Sequence, residues 1–392
     1  MDLGHRSRLA ASGDDVPVSR HLNRLPGLPL RLRIALLALS LVLLGATSAV
    51  AVAQDGQGTP PQIQLVAVQM RLNLADYWTR EAFEGKIRER MDAVAAATDP
   101  TLPTLVVFPE DVGLMLVVQG MERRLAGIDS IATAIETAVR ANTVPLLWTR
   151  LIRRTSFVPA LLLNKNRRMA ETYFEVFSAA ARDYGVYLVA GSAPLPPYRI
   201  EDGVVLWQRG PTRHRVRNTS YLFGPDGLVI GKQDKVELIE LEREAALDLE
   251  PGSLADLQVF DTPVGRIGIA ICLDAFVPEV VDRLTALGAQ VLVQPSANPG
   301  PWNEWQQGDW LRGSHAQAAV DGRFAYAVNP MLTGPLWDVA FFGQSAIVGR
   351  GAPDTGLGYL DLGPMAGFIG VAASAEDEAV LVAVVPHPDL VE

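Results

Sequence analysis

Cysteine and histidine are scarce in this chain of 392 residues, which contains one cysteine, Cys272, and five histidines. A single cysteine cannot form an intramolecular disulfide bond, and no Cys/His spacing typical of a zinc site is present. Basic residues do not outnumber acidic ones. The formal net charge is −10, which argues against nucleic acid as a partner. The 49% hydrophobic content predicts a globular protein.

The first 53 residues have the layout of an export signal. An apolar run follows a group of arginines and ends in small residues at 51–53; the arginines are Arg20, Arg24, Arg31 and Arg33. Residues 1–53 are predicted to be either a signal peptide cleaved before Gln54 or a membrane anchor, since 34–53 is long enough to span a bilayer. Either alternative predicts an exported, extracytoplasmic protein, secreted or tethered to the membrane by its N-terminal helix.

The remainder of the chain predicts a short linker and one α/β domain. Residues 54–62 are rich in Pro, Gly and Gln, and the domain covers 63–392. Hydrophobic periodicity predicts strands at 63–69, 105–108, 144–148, 186–190, 219–223, 229–232, 258–260, 266–272, 291–294, 324–328, 344–348 and 379–385. It predicts helices at 80–97, 130–142, 170–184, 279–287 and 310–321. Alternating strands and helices favour a layered α/β fold.

Cys272 lies where an apolar strand runs into a turn that opens a helix. The end of a buried strand holds a side chain rigidly, and a helix N-terminus favours a thiolate. A lone cysteine is more often a structural core residue, so this position alone does not establish chemistry.

Two further segments carry residues suited to catalysis. Glu110 ends an apolar strand, where partial desolvation raises the pKa of a carboxyl group and makes it a usable proton carrier. Lys235 follows another strand. Considered alone, Glu110 would be interpreted as an ordinary acidic residue in a loop, and Lys235 as an ordinary lysine on the surface.

Together, the strings Phe108-Pro-Glu110, Lys235-Val-Glu-Leu238 and Gly268-Ile-Ala-Ile-Cys272-Leu-Asp274 resemble the Glu–Lys–Cys triad of the nitrilase superfamily of carbon–nitrogen hydrolases. The likeness covers 63–391. It implies a four-layer α-β-β-α sandwich, a homodimer, a small-molecule amide or nitrile substrate, and no metal or organic cofactor.

The resemblance also implies a role for each residue. Cys272 attacks the substrate carbonyl, Lys235 and the backbone N–H of Leu273 stabilise the oxyanion, and Glu110 transfers protons. A second glutamate often follows the lysine in this family; Glu242 fits that spacing best, and Glu240 and Glu244 remain alternatives.

Two residues differ from the family pattern at positions that affect substrate specificity rather than the mechanism. Glu237 stands where relatives often have His, and Leu273 where they often have an aromatic residue. Both are predicted to bind substrate, together with Asp274, Asn298 and Trp302.

The segment at about 113–169 is predicted to be an insertion. Within it, residues 144–168 mix apolar runs with five arginines and Lys165. The segment is predicted to form either a lid over the Cys272 pocket that touches lipid or a helix packed on the core.

Three other functions fit parts of the pattern. The thioester could pass its acyl group to an amine, as in an N-acyltransferase, or the fold could serve as a non-catalytic binding module. A papain-like protease would need a histidine base, and only His214, His315 and His387 lie outside the first 53 residues.

Overall fold

A computed structural model describes residues 62–207, 216–243 and 247–391. The predicted leader or anchor at 1–53 lies outside these ranges, as does all but the end of the predicted linker. Across the three described ranges, no helix is long and apolar enough to cross a membrane.

Strands alternate with helices along the described chain. The strands are β1 Gln62–Arg71, β2 Thr104–Val107, β3 Tyr187–Val189, β4 Ala193–Leu195, β5 Ile200–Glu201, β6 Val204–Val205, β7 Arg217–Phe223, β8 Val229–Asp234, β9 Val259–Thr262, β10 Gly265–Ile269, β11 Val291–Val293, β12 Ser296–Ala297, β13 Tyr326–Asn329, β14 Met331–Leu336, β15 Val339–Phe341, β16 Ala346–Gly349, β17 Phe368–Val371 and β18 Ala379–Pro386. The α-helices are α1 Arg80–Ala97, α2 Glu122–Leu125, α3 Ile131–Ala141, α4 Thr143–Arg153, α5 Phe157–Tyr184, α6 Pro278–Ala286 and α7 Glu304–Trp310.

Two large mixed sheets hold most of these strands. In the first the order is β12-β14-β1-β2-β3-β7-β4, with β15 on β14, β18 on β1 and β8 on β7. In the second the order is β17-β16-β13-β11-β10-β9. Parallel pairs lie at the centre of each sheet, β1 with β2 and β10 with β11. Parallel strands direct their carboxyl ends to one edge, where loops can carry a site.

Strand β1 shows why four layers form, since both of its faces are buried. Ile63, Leu65 and Ala67 belong to a core shared with the second sheet, whereas Val66 and Val68 pack in a core with α1 and α5. The period of two along a strand sends alternate side chains into different cores. Helix α6 contributes Val280, Val281 and Leu284 to the core of the second sheet. The predicted α-β-β-α sandwich is confirmed.

Two element predictions were wrong. Residues 144–148 form part of helix α4 rather than a strand, because a short apolar run does not distinguish the two and Pro145 is tolerated in a first helical turn. The predicted helix at 310–321 is instead α7, which ends at Trp310, followed by a π-helical turn at Ala316–Val320.

Helix α5 begins before the predicted residue 170, at Phe157, so the predicted insertion at 113–169 is mainly helical and continues without a break into the helix that packs on the first sheet. The segment holds a 3-10 turn at Leu114–Val118 and helices α2, α3 and α4. Whether these residues form an insertion stays a prediction, as does the lid.

Gly191 permits a close approach that places Glu110. It follows β3 with φ +59°, and a Cβ at this position would lie 1.9 Å from the carbonyl oxygen of Pro109. The loop that carries Glu110 can therefore rest against the backbone after β3 only because the side chain is absent.

We expect Gly191→Ala to destabilise the protein more than Gly185→Ala. Gly185 has a similar φ of +66° but open space around its Cβ position, so its substitution costs only the left-handed strain, about 1–2 kcal/mol. The clash at Gly191 adds about 1–3 kcal/mol to that cost. Urea unfolding of both variants measures the difference. Equal losses of unfolding free energy would show that the close approach is unimportant.

Candidate active site

Glu110, Lys235 and Cys272 come from three separate strand ends. Glu110 follows β2 and Lys235 follows β8 in the first sheet, whereas Cys272 follows β10 in the second. All three are buried, with 2%, 1% and 5% of their surface exposed. The structure thus brings residues of both sheets to one place.

The Lys235 ammonium joins two carboxylates. Its Nζ lies 2.7 Å from Oε1 of Glu110 and 2.7 Å from Oε2 of Glu242. An ammonium has three N–H donors, so these two bonds leave one donor for another acceptor. Among the glutamates that the sequence left open, Glu240 is exposed and Glu244 lies outside the described residues.

Asn218 links the same two carboxylates and was missed by the sequence analysis. Its Nδ2 donates to Oε1 of Glu110 at 3.0 Å and to Oε1 of Glu242 at 2.8 Å. Its backbone oxygen accepts the N–H of Lys235 at 2.8 Å. The sequence shows only an asparagine near the start of β7; its role depends on the pairing of β7 with β8.

The Cys272 backbone adopts a left-handed conformation at the opening of a 3-10 turn, Cys272–Phe276. Its φ is +48°, a region that non-glycine residues adopt at an energetic cost and that is common at functional sites. The Sγ lies 4.0 Å from the oxygen of Ala297, and the N–H of Ala297 donates to Oε2 of Glu110 at 3.1 Å. One residue of β12 therefore contacts both the thiol and the carboxylate.

Burial dominates the protonation of Cys272. It raises the pKa of the thiol well above its ordinary value; the Glu110 carboxylate raises it further, and the Lys235 ammonium only partly offsets this. The sequence-based expectation that a helix N-terminus favours the thiolate was wrong, because a five-residue 3-10 turn cannot compensate for desolvation. The resting nucleophile is a thiol that needs a base.

Glu110 and Lys235 differ in how burial acts on them. Desolvation raises the pKa of Glu110, against the lowering effect of Lys235, while Glu242 adds to the increase. Desolvation alone would lower the pKa of Lys235, but Glu110, Cys272 and Glu242 together hold it well above its ordinary value. The site therefore combines a lysine held in its charged form with a carboxyl group whose pKa is raised by burial.

Asp274 was predicted to bind substrate, which stays a prediction; in the structure its carboxyl group bonds to the protein backbone. Its carboxylate is fully buried and accepts the backbone N–H groups of Val236 at 3.1 Å and Glu237 at 2.7 Å. These residues directly follow Lys235. Asp274 thus joins the turn that carries the nucleophile to the loop that carries the lysine.

Of the other residues predicted to bind substrate, two already form hydrogen bonds within the protein. The side-chain amide of Asn298 donates to the oxygens of Gly300 and Phe342, both at 3.1 Å. The indole N–H of Trp302 donates to Gln344 at 3.0 Å. Leu273 and Glu237 are half-buried beside Cys272 and Lys235 in the chain. Their contact with substrate stays a prediction.

The described histidines bond elsewhere. A ring nitrogen of His315 lies 2.9 Å from the oxygen of Ala366, and His387 accepts the N–H of Asp389 at 3.3 Å. His214 lies outside the described residues. Within the described part of the chain, no group of three or more His, Cys, Asp or Glu residues is arranged to hold a metal ion.

We expect Asp274→Asn to change how stability depends on pH. Burial raises the pKa of Asp274 from 3.8 to about 7, although the backbone N–H groups of Glu237 and Val236 and the nearby Lys235 lower it. At a pH between these two pKa values, the folded protein keeps a proton on Asp274 that the unfolded chain has released. Asp274 therefore makes the free energy of unfolding fall as the pH rises through this range. Urea unfolding from pH 4 to pH 7 should show a smaller fall in the variant. The exposed Asp261→Asn is the control. Parallel curves for parent and Asp274→Asn would contradict the assignment.

Several known carbon–nitrogen hydrolases are similar to this chain. The family model for carbon–nitrogen hydrolases matches residues 78–351. The omega-amidase NIT2 of Danio rerio is 31% identical over 145 residues, which cover 34% of this chain and 46% of the relative. A nitrilase of Pyrococcus abyssi is 37% identical over 116 residues, or 30% and 36% of the two chains. This chain thus spans less than half the length of these curated relatives.

Among solved structures, an amidase from Nesterenkonia sp. has a similar fold. Its TM-score is 0.53 at 18% identity, and the match covers 85% of this chain and 94% of that one. A variant of the amidase from Nesterenkonia sp. AN1, with acrylamide added to its active-site cysteine, matches with a TM-score of 0.52 at 19% identity, over 83% of this chain and 93% of that one. Since the family model covers most of the chain and the fold agrees with it, this protein belongs to the carbon–nitrogen hydrolase family.

Proposed function

We propose that this protein hydrolyses the carbon–nitrogen bond of a small amide through a thioester on Cys272. The observation that carries the proposal is the buried arrangement of Glu110, Lys235 and Glu242 beside a strained cysteine. The amidase relatives and the family membership support the reaction class.

Acylation begins with proton transfer from the Cys272 thiol to the Glu110 carboxylate. Ala297 places the two groups near each other, since its oxygen lies 4.0 Å from the Cys272 Sγ and its N–H donates to Glu110. The sulfur then attacks the amide carbon, and the carbonyl π electrons move to oxygen. The free N–H of Lys235 and the backbone N–H of Leu273, in the first turn after the nucleophile, stabilise this oxyanion.

Collapse of the tetrahedral intermediate breaks the carbon–nitrogen bond. Glu110 returns its proton to the leaving nitrogen, so ammonia or an amine departs and the acyl group remains on sulfur. Glu110 then removes a proton from water, whose oxygen attacks the thioester carbon. The carbon–sulfur bond breaks, a carboxylic acid is released, and the departing Cys272 thiolate takes the proton back from Glu110. Glu242 and Asn218 act as positioning residues, because they hold Lys235 and Glu110 in place between the two steps.

The substrate is proposed to be a small amide, without a metal or organic cofactor. A nitrile could meet the same thiol and ammonium, and the nitrilase relative makes nitriles worth assaying. The omega-amidase relatives likewise suggest including omega-amides. An amine in place of water at the second step would make the protein an N-acyltransferase, so acyl transfer is an outcome of the same assay.

We expect Cys272→Ala to abolish the release of ammonia or amine, with a loss of at least ~10⁴-fold in kcat/KM because no thioester can form. Glu110→Gln should lose about 10²–10⁴-fold as a missing proton carrier. The assay uses small amides, omega-amides and nitriles, with and without an acceptor amine.

Glu240→Gln is the matched control, since Glu240 is exposed and two residues from the buried Glu242. It should retain the parent activity. Equal turnover by the parent and Cys272→Ala would refute the proposed function, and equal turnover by the parent and Glu110→Gln would remove Glu110 from the mechanism.

A further inference from the structure

Helix α4 turns an apolar face to solvent. We call Val144, Leu147, Trp148, Leu151 and Ile152 the outer face of α4; their spacing of three and four residues places them along one side. They are 53–74% exposed, and among the hydrophobic side chains of α4 only that of Leu146 is buried. Single exposed apolar residues are normal, but five in one stripe mark a contact surface.

The chain around this face is cationic although the protein is acidic overall. Residues 137–170 contain no Asp or Glu; their basic residues are Arg140, Arg150, Arg153, Arg154, Lys165, Arg167 and Arg168. Arg154, Arg167 and Arg168 are exposed. The whole chain has a net charge of −10, whereas this segment carries a net positive charge.

Two of these cations bond to backbone oxygens rather than to carboxylates. Arg150 donates to the oxygen of Thr155 and Arg168 to that of Gln119, both at 3.3 Å. The Arg150 guanidinium also lies 3.8 Å from the centre of the Phe157 ring. Arg140 does pair with Glu136. Backbone oxygens leave the positive charges uncompensated, so they remain available to an anionic partner.

The electrostatics of Lys165 agree with an uncompensated cluster. Burial lowers its pKa, and the charges of Arg168 and Arg124 lower it further. Arg124 itself donates to the oxygen of Ala141 at 3.4 Å. Positive charges therefore repel one another here, and an anionic surface would relieve that repulsion.

We propose that the outer face of α4 docks on the surface of an anionic lipid bilayer. An apolar stripe with a basic margin is the pattern of helices that lie in the membrane interface, and Trp148 suits the headgroup level. Helix α4 would lie parallel to the membrane plane, with Arg154 and Arg167 near lipid phosphates. The docking does not depend on the proposed catalysis.

A second copy of the chain fits this face less well than a bilayer. A helix of 11 residues is about 16 Å long, and its face is smaller than the ~800 Å² per partner of a stable protein interface. A two-fold contact through α4 would also place the cations of one copy against those of the other. Both effects favour a lipid surface.

A fluorescent reporter on α4 tests the proposal in the full-length chain. Leu151→Cys is labelled with an environment-sensitive dye in a Cys272→Ser background, so that one thiol is present. Leu390→Cys, at a side chain 63% exposed at the other end of the chain, is the matched control. Each protein is mixed with phosphatidylcholine vesicles with or without phosphatidylglycerol. A local reporter separates docking of α4 from any insertion of residues 34–53.

We expect the fluorescence emission of the dye at position 151 to shift to the blue with vesicles that contain phosphatidylglycerol, but not with vesicles of phosphatidylcholine only. The dye at position 390 should show no shift with either vesicle type. Neutralising two cations, in Arg154→Gln with Arg167→Gln, should lower the docking equilibrium constant about 30-fold. No shift at position 151, or equal shifts on both vesicle types, would overturn the proposal. A shift that grows with protein concentration without lipid would assign the face to a second copy. Ile152→Cys repeats the measurement if Leu151→Cys does not fold.

Discussion

The buried ammonium of Lys235 is the interaction on which the site depends. Its side chain is inaccessible to solvent and bonds to Glu110 and Glu242 at 2.7 Å each. A buried charge without partners is costly, so each carboxylate keeps the lysine charged and the lysine keeps the carboxylates close. Asn218 and the N–H of Ala297 bond to the same carboxylates. Loss of any one member would leave the others with unpaired buried groups.

This network also explains why the fold has two sheets at the site. The first sheet supplies Glu110 after β2, Asn218 in β7 and Lys235 after β8, and the second supplies Cys272 after β10. The carboxylate of Asp274, fully buried, crosses from the nucleophile turn to the backbone after Lys235. The nucleophile is thereby fixed relative to the lysine, and its left-handed backbone is held by tertiary contacts such as the bond from its N–H to the oxygen of Pro295 at 2.9 Å.

Much of this arrangement was predictable because Glu110, Lys235 and Cys272 each follow a strand in a recognisable local string. The family and the sandwich were predicted on that basis, and both are confirmed. Asn218 was missed because its partners are distant in sequence and meet it only through sheet pairing. The protonation of Cys272 was predicted wrongly because the depth of burial cannot be read from neighbouring residues. Residues 144–148 of helix α4 were predicted as a strand because a short apolar run is compatible with either element. The outward direction of the apolar face of α4 could not be read from that run either.

The most direct measurement of the central claim is intact-protein mass spectrometry of the chain quenched in acid during turnover of an amide. A thioester mechanism predicts a mass increase equal to the acyl group, located on the peptide that contains Cys272 and released by hydroxylamine. The adduct should persist longer in Glu110→Gln, which lacks the carboxylate that activates water. Turnover that continues while Cys272 stays unmodified in both proteins would contradict the account.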